Sequence, residues 1–245
     1  MQRFFRNREN AGRVLGEALQ LYAGRSDLLV LALPRGGLPV GLEVARRLKA
    51  PLDLIAVRKL GVPGEEELAM GAIAAGGERV LNAAVVRALG LSSEVIEAAT
   101  ERAAAELRHR EQLYRGDRPR PQWRDRCVIL VDDGLATGST MFAAVRAVRQ
   151  GAPSSVVVAA PVAPPDTCRQ LRREVDDVVC VHAPPMFMAV GQWYEDFPQI
   201  TDEQVQQLLQ IAWDELPGPS APPDAPEPVS HSRRHAVKPS PAEAE

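Results

Sequence analysis

Three features of the chain predict an α/β fold with a mostly parallel central sheet. Short, wholly apolar runs recur, as LLVLAL at Leu28–Leu33, CVILV at Cys127–Val131 and the Val/Ala run Val156–Ala160. Segments with helical spacing separate them. None of the runs alternates polar with apolar residues, which is the pattern of strands covered on both faces by crossover helices. With 245 residues, the chain has ample material for one large domain with a buried core.

The elements follow in order. Leu28–Leu33 is a strand that ends at Pro34, which has no N–H for a ladder. Leu38–Lys49 is a helix with Leu38, Leu42, Ala45 and Leu48 on one face. Leu52–Val57 is the second strand. A long helix starts at Ser92-Ser93 and runs to about Arg115, rich in Ala, Glu and Arg. Cys127–Val131 is a strand, and Thr140–Gln150 a helix stopped by Gly151. Val156–Ala160, Asp166–Glu174 and Val178–Val181 complete the pattern as strand, helix and strand. The domain is expected over residues 1–216. Pro217–Glu245 holds 8 of the 21 prolines, and its large aliphatics are Val229 and Val237. It has too little apolar surface to offset its chain entropy, so a disordered tail is expected. Its basic cluster HSRRH (231–235) reads as a solvated charge run.

Composition excludes several function classes. With 29 Lys+Arg against 32 Asp+Glu the net charge is −3, which argues against a nucleic-acid partner. No run reaches the roughly 18 apolar residues of a membrane span, and MQRFFRNREN has no apolar core behind it. No membrane partner and a cytoplasmic location are therefore expected. Cys127, Cys168 and Cys180 form no CxxC pair and suggest no disulfide framework; Cys127 and Cys180 read as small core hydrophobes. The four histidines show no zinc spacing with Cys and carboxylates.

In a parallel α/β sheet, ligands bind at the carboxyl ends of the strands. The residues there are Pro34-Arg35-Gly36-Gly37, Arg58-Lys59-Leu60-Gly61 and Asp132-Asp133-Gly134-Leu135-Ala136-Thr137-Gly138-Ser139-Thr140. The last stretch runs from an apolar strand through two carboxylates and a TGST loop straight into a helix. A helix N-terminus offers unpaired N–H groups to an anion. Gly138 permits close backbone approach, while Thr137, Ser139 and Thr140 add hydroxyl donors. Asp132 and Asp133 suit a sugar's vicinal hydroxyls. Phosphate at one end and a diol at the other describe a ribose 5-phosphate. A nucleotide P-loop would need Lys after Gly138, and a dinucleotide site would need GxGxxG.

The segment VILVDDGLATGST resembles the binding motif for phosphoribosyl pyrophosphate (PRPP) in type I phosphoribosyltransferases. Pro34–Gly37 resembles that family's pyrophosphate loop, and Arg58–Gly64 its mobile loop in adenine-type members. The resemblance implies that Asp132, Asp133, Arg35 and Lys59 are catalytic. It implies that Gly36, Gly37, Arg58, Gly134, Leu135, Ala136, Thr137, Gly138, Ser139 and Thr140 bind substrate. Mg²⁺ is implied as cofactor, near Asp132, Asp133 and Asp196, and the partners are PRPP and a nitrogenous base; a homodimer fits the family. The reaction expected is transfer of ribose 5-phosphate from PRPP to the base, with pyrophosphate leaving. Ala136, where 6-oxopurine enzymes carry an acid, favours an adenine-like or uracil-like acceptor. A PRPP- or nucleotide-sensing regulator is the alternative, and hydrolysis or phosphorolysis at the same site a third possibility. Residues 58–77, rich in Gly, Ala and Glu, read equally as a mobile lid or a surface hairpin. Residues 184–200 read either as a hood, with Phe187 or Trp193 stacking a base, or as a packed cap.

Overall fold

The computed structural model describes residues 4–74, 77 and 79–218. The tail expected at 217–245 therefore lies, from residue 219 onward, outside the described residues. A parallel sheet of five strands forms the centre: β1 (Leu28–Ala32), β2 (Leu52–Leu54), β6 (Cys127–Val131), β7 (Ser155–Val162) and β8 (Asp177–His182). Their spatial order is β2-β1-β6-β7-β8. The apolar runs explain why both faces are covered. Leu28, Val30 and Ala32 of β1 enter one core, whereas Leu29 and Leu31 enter another. Cys127, Ile129 and Val131 of β6 divide from Val128 and Leu130 in the same way. Every one of these side chains is essentially inaccessible to water.

Helices α1 (Arg8–Ala18), α2 (Gly37–Leu48), α4 (Ser93–Arg115) and α7 (Asp202–Glu215) contribute to the first core. Helices α5 (Ser139–Gln150) and α6 (Pro165–Leu171) contribute to the second. Glycine lets α1 approach α2: a Cβ on Gly12 would lie 2.7 Å from the carbonyl oxygen of Val40. Gly151 ends α5 as expected, and the reason is contact, since a Cβ there would lie 2.0 Å from the indole nitrogen of Trp123.

One region differs from the sequence expectation. The expected strand Leu52–Val57 stops at Leu54, and Arg58–Gly61 is not a loop. Residues Val57–Val62 form β3, which pairs antiparallel with β4 (Glu65–Ala74), and β4 pairs with β5 (Arg79–Leu81). This three-stranded sheet is followed by a short helix, α3 (Ala83–Ala88). The described residues of the 58–77 stretch form the β3–β4 hairpin. The helix expected at Asp166–Glu174 closes at Leu171, with further turns behind it.

Candidate active site

In the order β2-β1-β6, the chain crosses from β1 to β2 on one side and later returns to the sheet at β6 on the other. This creates a crevice between the carboxyl ends of β1 and β6, the place where open α/β sheets bind ligands. The Pro34–Gly37 turn leaves β1 there, and Asp132 and Asp133 leave β6. The two turns are in intimate contact. A Cβ on Gly36 would sit 2.0 Å from Oδ2 of Asp133, and one on Gly37 would sit 2.8 Å from the carbonyl oxygen of Val131. Any side chain at either position would displace the carboxylate strand end. The Pro34–Arg35 peptide is cis.

The acidic pair is strongly held. The Asp133 N–H donates to Oδ1 of Asp132 over 2.9 Å. Arg8, from the first turn of α1, donates its Nε–H to Oδ2 of Asp133 over 2.7 Å, with both side chains nearly buried. A second N–H of Arg8 reaches the carbonyl of Pro198, and its guanidinium lies 3.7 Å over the Phe197 ring. The Tyr194 hydroxyl donates to the carbonyl of Asp133 over 2.5 Å. Burial, and then the neighbouring charge of Asp133, push the Asp132 carboxyl well above the ordinary carboxylate range. Burial also raises Asp133, against the opposing pull of Arg8.

The loop into α5 has the form of an anion cradle. Gly138 takes a left-handed conformation, φ +73°, as the residue before the helix. Thr137 and Ser139 hydroxyls lie 2.9 Å apart at its mouth. Behind it, Thr167 of α6 donates to the carbonyl of Ala136 over 2.8 Å. Leu135 is buried, and its N–H bonds the carbonyl of Val162. Gly134 packs against Val190, where a Cβ would lie 2.5 Å from a valine methyl.

The antiparallel sheet brings the basic residues to this cradle. Arg58 and Lys59 of β3 line a cavity of about 610 Å³ with Thr137, Ser139 and Thr140. Arg58 pairs there with Glu106 of α4. Arg35 is half exposed and lies 3.7 Å from Asp202 at the start of α7, the carboxylate that also accepts from Tyr114.

Two expected groupings are not assembled. Trp193 is nearly buried and sits edge-on to His182 and stacked with Phe187, in a cluster with Phe5 and Tyr194. The Trp193 ring is therefore enclosed by its aromatic neighbours, whereas Phe187 is half-buried. His182 packs between Phe4 and Trp193. Asp196 opens into a different cavity with Asn7 and Gln204. Among the described residues, no three His, Cys, Asp or Glu side chains could hold a metal ion together. Asp133 is committed to Arg8, so the set Asp132, Asp133 and Asp196 does not fit a protein-held Mg²⁺.

Sequence reading missed Arg8, Asp202 and Thr167. The first lies in a polar segment whose partner is 125 residues away, and no local signal marks it. Thr167 announces nothing until α6 is seen to pack on the loop.

The comparisons agree with this geometry. The sequence profile of the phosphoribosyl transferase domain matches residues 4–196. Two Mycobacterium tuberculosis proteins, from strains CDC 1551 and H37Rv and provisionally named phosphoribosyl transferases, are each 42% identical over 210 residues. That is 86% of this chain and 47% of theirs, so the chain spans about half the length of these relatives. The crystal structure of TT1426 from Thermus thermophilus superposes with a TM-score of 0.78 at 44% identity, covering 84% of this chain and 97% of that one. The chain thus belongs to the phosphoribosyl transferase domain family.

Proposed function

We propose that the cleft transfers ribose 5-phosphate from PRPP to a nitrogenous base. The observation that carries this reading is the cradle Thr137–Thr140 opening into the same cavity as Arg58 and Lys59. The cradle suits the 5-phosphate through backbone N–H groups and hydroxyls. Asp132, and Asp133 where Arg8 leaves an oxygen available, would accept from the ribose hydroxyls. Breaking the bond from C1 to pyrophosphate leaves positive charge on the sugar and negative charge on the leaving group. The half-buried carboxylates Asp132 and Asp133 would favour the first, and Lys59 and Arg35 the second. Little covalent work falls on the chain, so orientation supplies most of the rate. The Mg²⁺ expected with PRPP belongs with the substrate, and no step here depends on a metal held by the chain.

Ala136 is exposed and carries no proton to exchange. This favours an adenine-like or uracil-like acceptor over a 6-oxopurine. The commitment of Asp133 to Arg8 supports a second reading, a regulator that binds PRPP without turning it over.

Pyrophosphate release from PRPP in the presence of adenine, uracil and hypoxanthine separates the two. Turnover with one base, lowered at least tenfold in Lys59→Gln and in Thr137→Val, is expected. Calorimetric binding of PRPP without turnover on any base would favour the regulator. Absence of binding would remove both readings.

A further inference from the structure

A second cavity, of about 330 Å³, lies at the opposite end of the sheet. Leu29, Leu52 and Arg126 mark the amino ends of β1, β2 and β6 on its wall. It is separated from the cleft by the length of β1, roughly 16 Å at about 3.3 Å per residue. Its volume falls at the lower end of the roughly 300–1,000 Å³ of small-molecule sites.

The lining is basic: Arg118, Arg120 and Arg126 contribute guanidinium groups, and Asp53 the one carboxylate among the described lining residues. That carboxylate is engaged by Arg115 over 2.8 Å. Arg120 is paired with Glu111. Arg126 is different. It is 4% exposed, and its Nε and one terminal nitrogen have no hydrogen-bond partner. Asp27, whose charge favours the Arg126 cation, is already bound by Arg25. The indole N–H of Trp213, on the same wall, is buried and equally without an acceptor. Arg118 stacks 4.3 Å over that indole ring.

A buried cation and a buried N–H with no acceptor are costly arrangements. Both side chains contribute to the wall of one cavity, and an oxyanion would supply the acceptor that both lack. We propose that this cavity is a second binding site, for a small molecule carrying a phosphate or carboxylate group. Arg126 would bind the oxyanion in its planar fork, the Trp213 N–H would donate to it, and Arg118 would close over it. The inference is independent of the function proposed for the cleft.

Inorganic phosphate is the probe for the test. It is titrated into the full chain while the indole N–H resonance of Trp213 is followed, identified by its loss in Trp213→Phe. A saturable shift is expected that chloride at equal ionic strength does not reproduce. Affinity should weaken roughly tenfold in Arg126→Met and in Arg118→Gln. Arg118 is exposed, so its variant gives a comparison even if the buried substitution disturbs folding. Asp132→Asn should leave the titration unchanged, because its site is at the other end of β6. A Trp213 resonance that phosphate does not move, or that moves equally in the Arg118 and Arg126 variants, overturns the proposal. Titrating acetate in the same way distinguishes a carboxylate ligand from a phosphate one.

Discussion

Asp132 is a half-buried carboxyl that the fold tolerates at a cost. Its folded-state pKa lies above the ordinary 3.8 because burial, then Asp133, disfavour ionisation. A carboxyl raised this way contributes stability in full below its unfolded pKa. That contribution is lost as pH rises through the folded pKa. Asp132→Asn keeps the oxygen that accepts from the Asp133 N–H and removes the charge. At neutral pH the ligand-free variant should therefore be more stable than the parent, by about 1 kcal/mol. The gain should vanish in acid, and calorimetry across pH checks it; a variant less stable at every pH would refute the argument. Arg8 has the opposite sign. Arg8→Met leaves the Asp133 carboxylate without its cation in a site 13% exposed. Breaking such a pair costs about 3 kcal/mol, part of which should return in the double variant with Asp133→Asn. Denaturant melts of the four proteins measure both. Asp132 and Asp133 were legible because two carboxylates end an apolar run. Arg8 was not, because its meaning depends on where α1 is carried by the rest of the fold.

At the scale of elements, the parallel strands and α2, α4 and α5 were legible from local pattern alone. Their apolar residues repeat with one period, and β6 and α4 begin and end within a residue of expectation. The antiparallel sheet was hidden for a physical reason. β4 opens with three glutamates, and β3 contains Gly61, so neither has the apolar continuity of a buried strand. α1 was hidden by Gly12 and Gly16, which weaken helix propensity locally and are there for contact with α2. The turn into α5 offers a direct test of how an element end serves the site. Gly138→Ala would hold a left-handed residue at a cost of about 1–2 kcal/mol. Its Cβ would also press on the Thr167 methyl at 2.8 Å, disturbing the residue that fixes Ala136. Gly24→Ala is the control, since φ there is +79° but nothing lies within 4 Å. Both variants should lose stability, Gly138→Ala the more because of its added contact, and Gly138→Ala alone should weaken PRPP binding, which paired melts and calorimetric titrations would resolve.

On the scale of the whole molecule, the crevice exists because β1 lies between β2 and β6, with an antiparallel sheet that brings Arg58 and Lys59 to the Thr137–Thr140 loop. Helix α7 holds one wall of this arrangement. It begins with a reciprocal cap between Thr201 and Gln204, and its Val205, Leu209 and Ala212 enter the core shared with β1 and α2. Asp202, in its first turn, faces both Tyr114 of α4 and Arg35 of the β1 turn. The chain after Gly218 offers that core only Val229 and Val237 as large aliphatic side chains. Two truncations should therefore behave differently. Ending the chain at Gly218 should leave the melting temperature unchanged. Ending it at Ile200 removes buried side chains worth about 2–5 kcal/mol for a leucine alone, and exposes the face of α2 and α4 beneath α7. That protein should fail to give a cooperative thermal transition, and it should lose the cleft with the fold. A cooperative melt near the parent temperature after loss of α7 would mean that the sheet and its remaining helices hold the crevice without it.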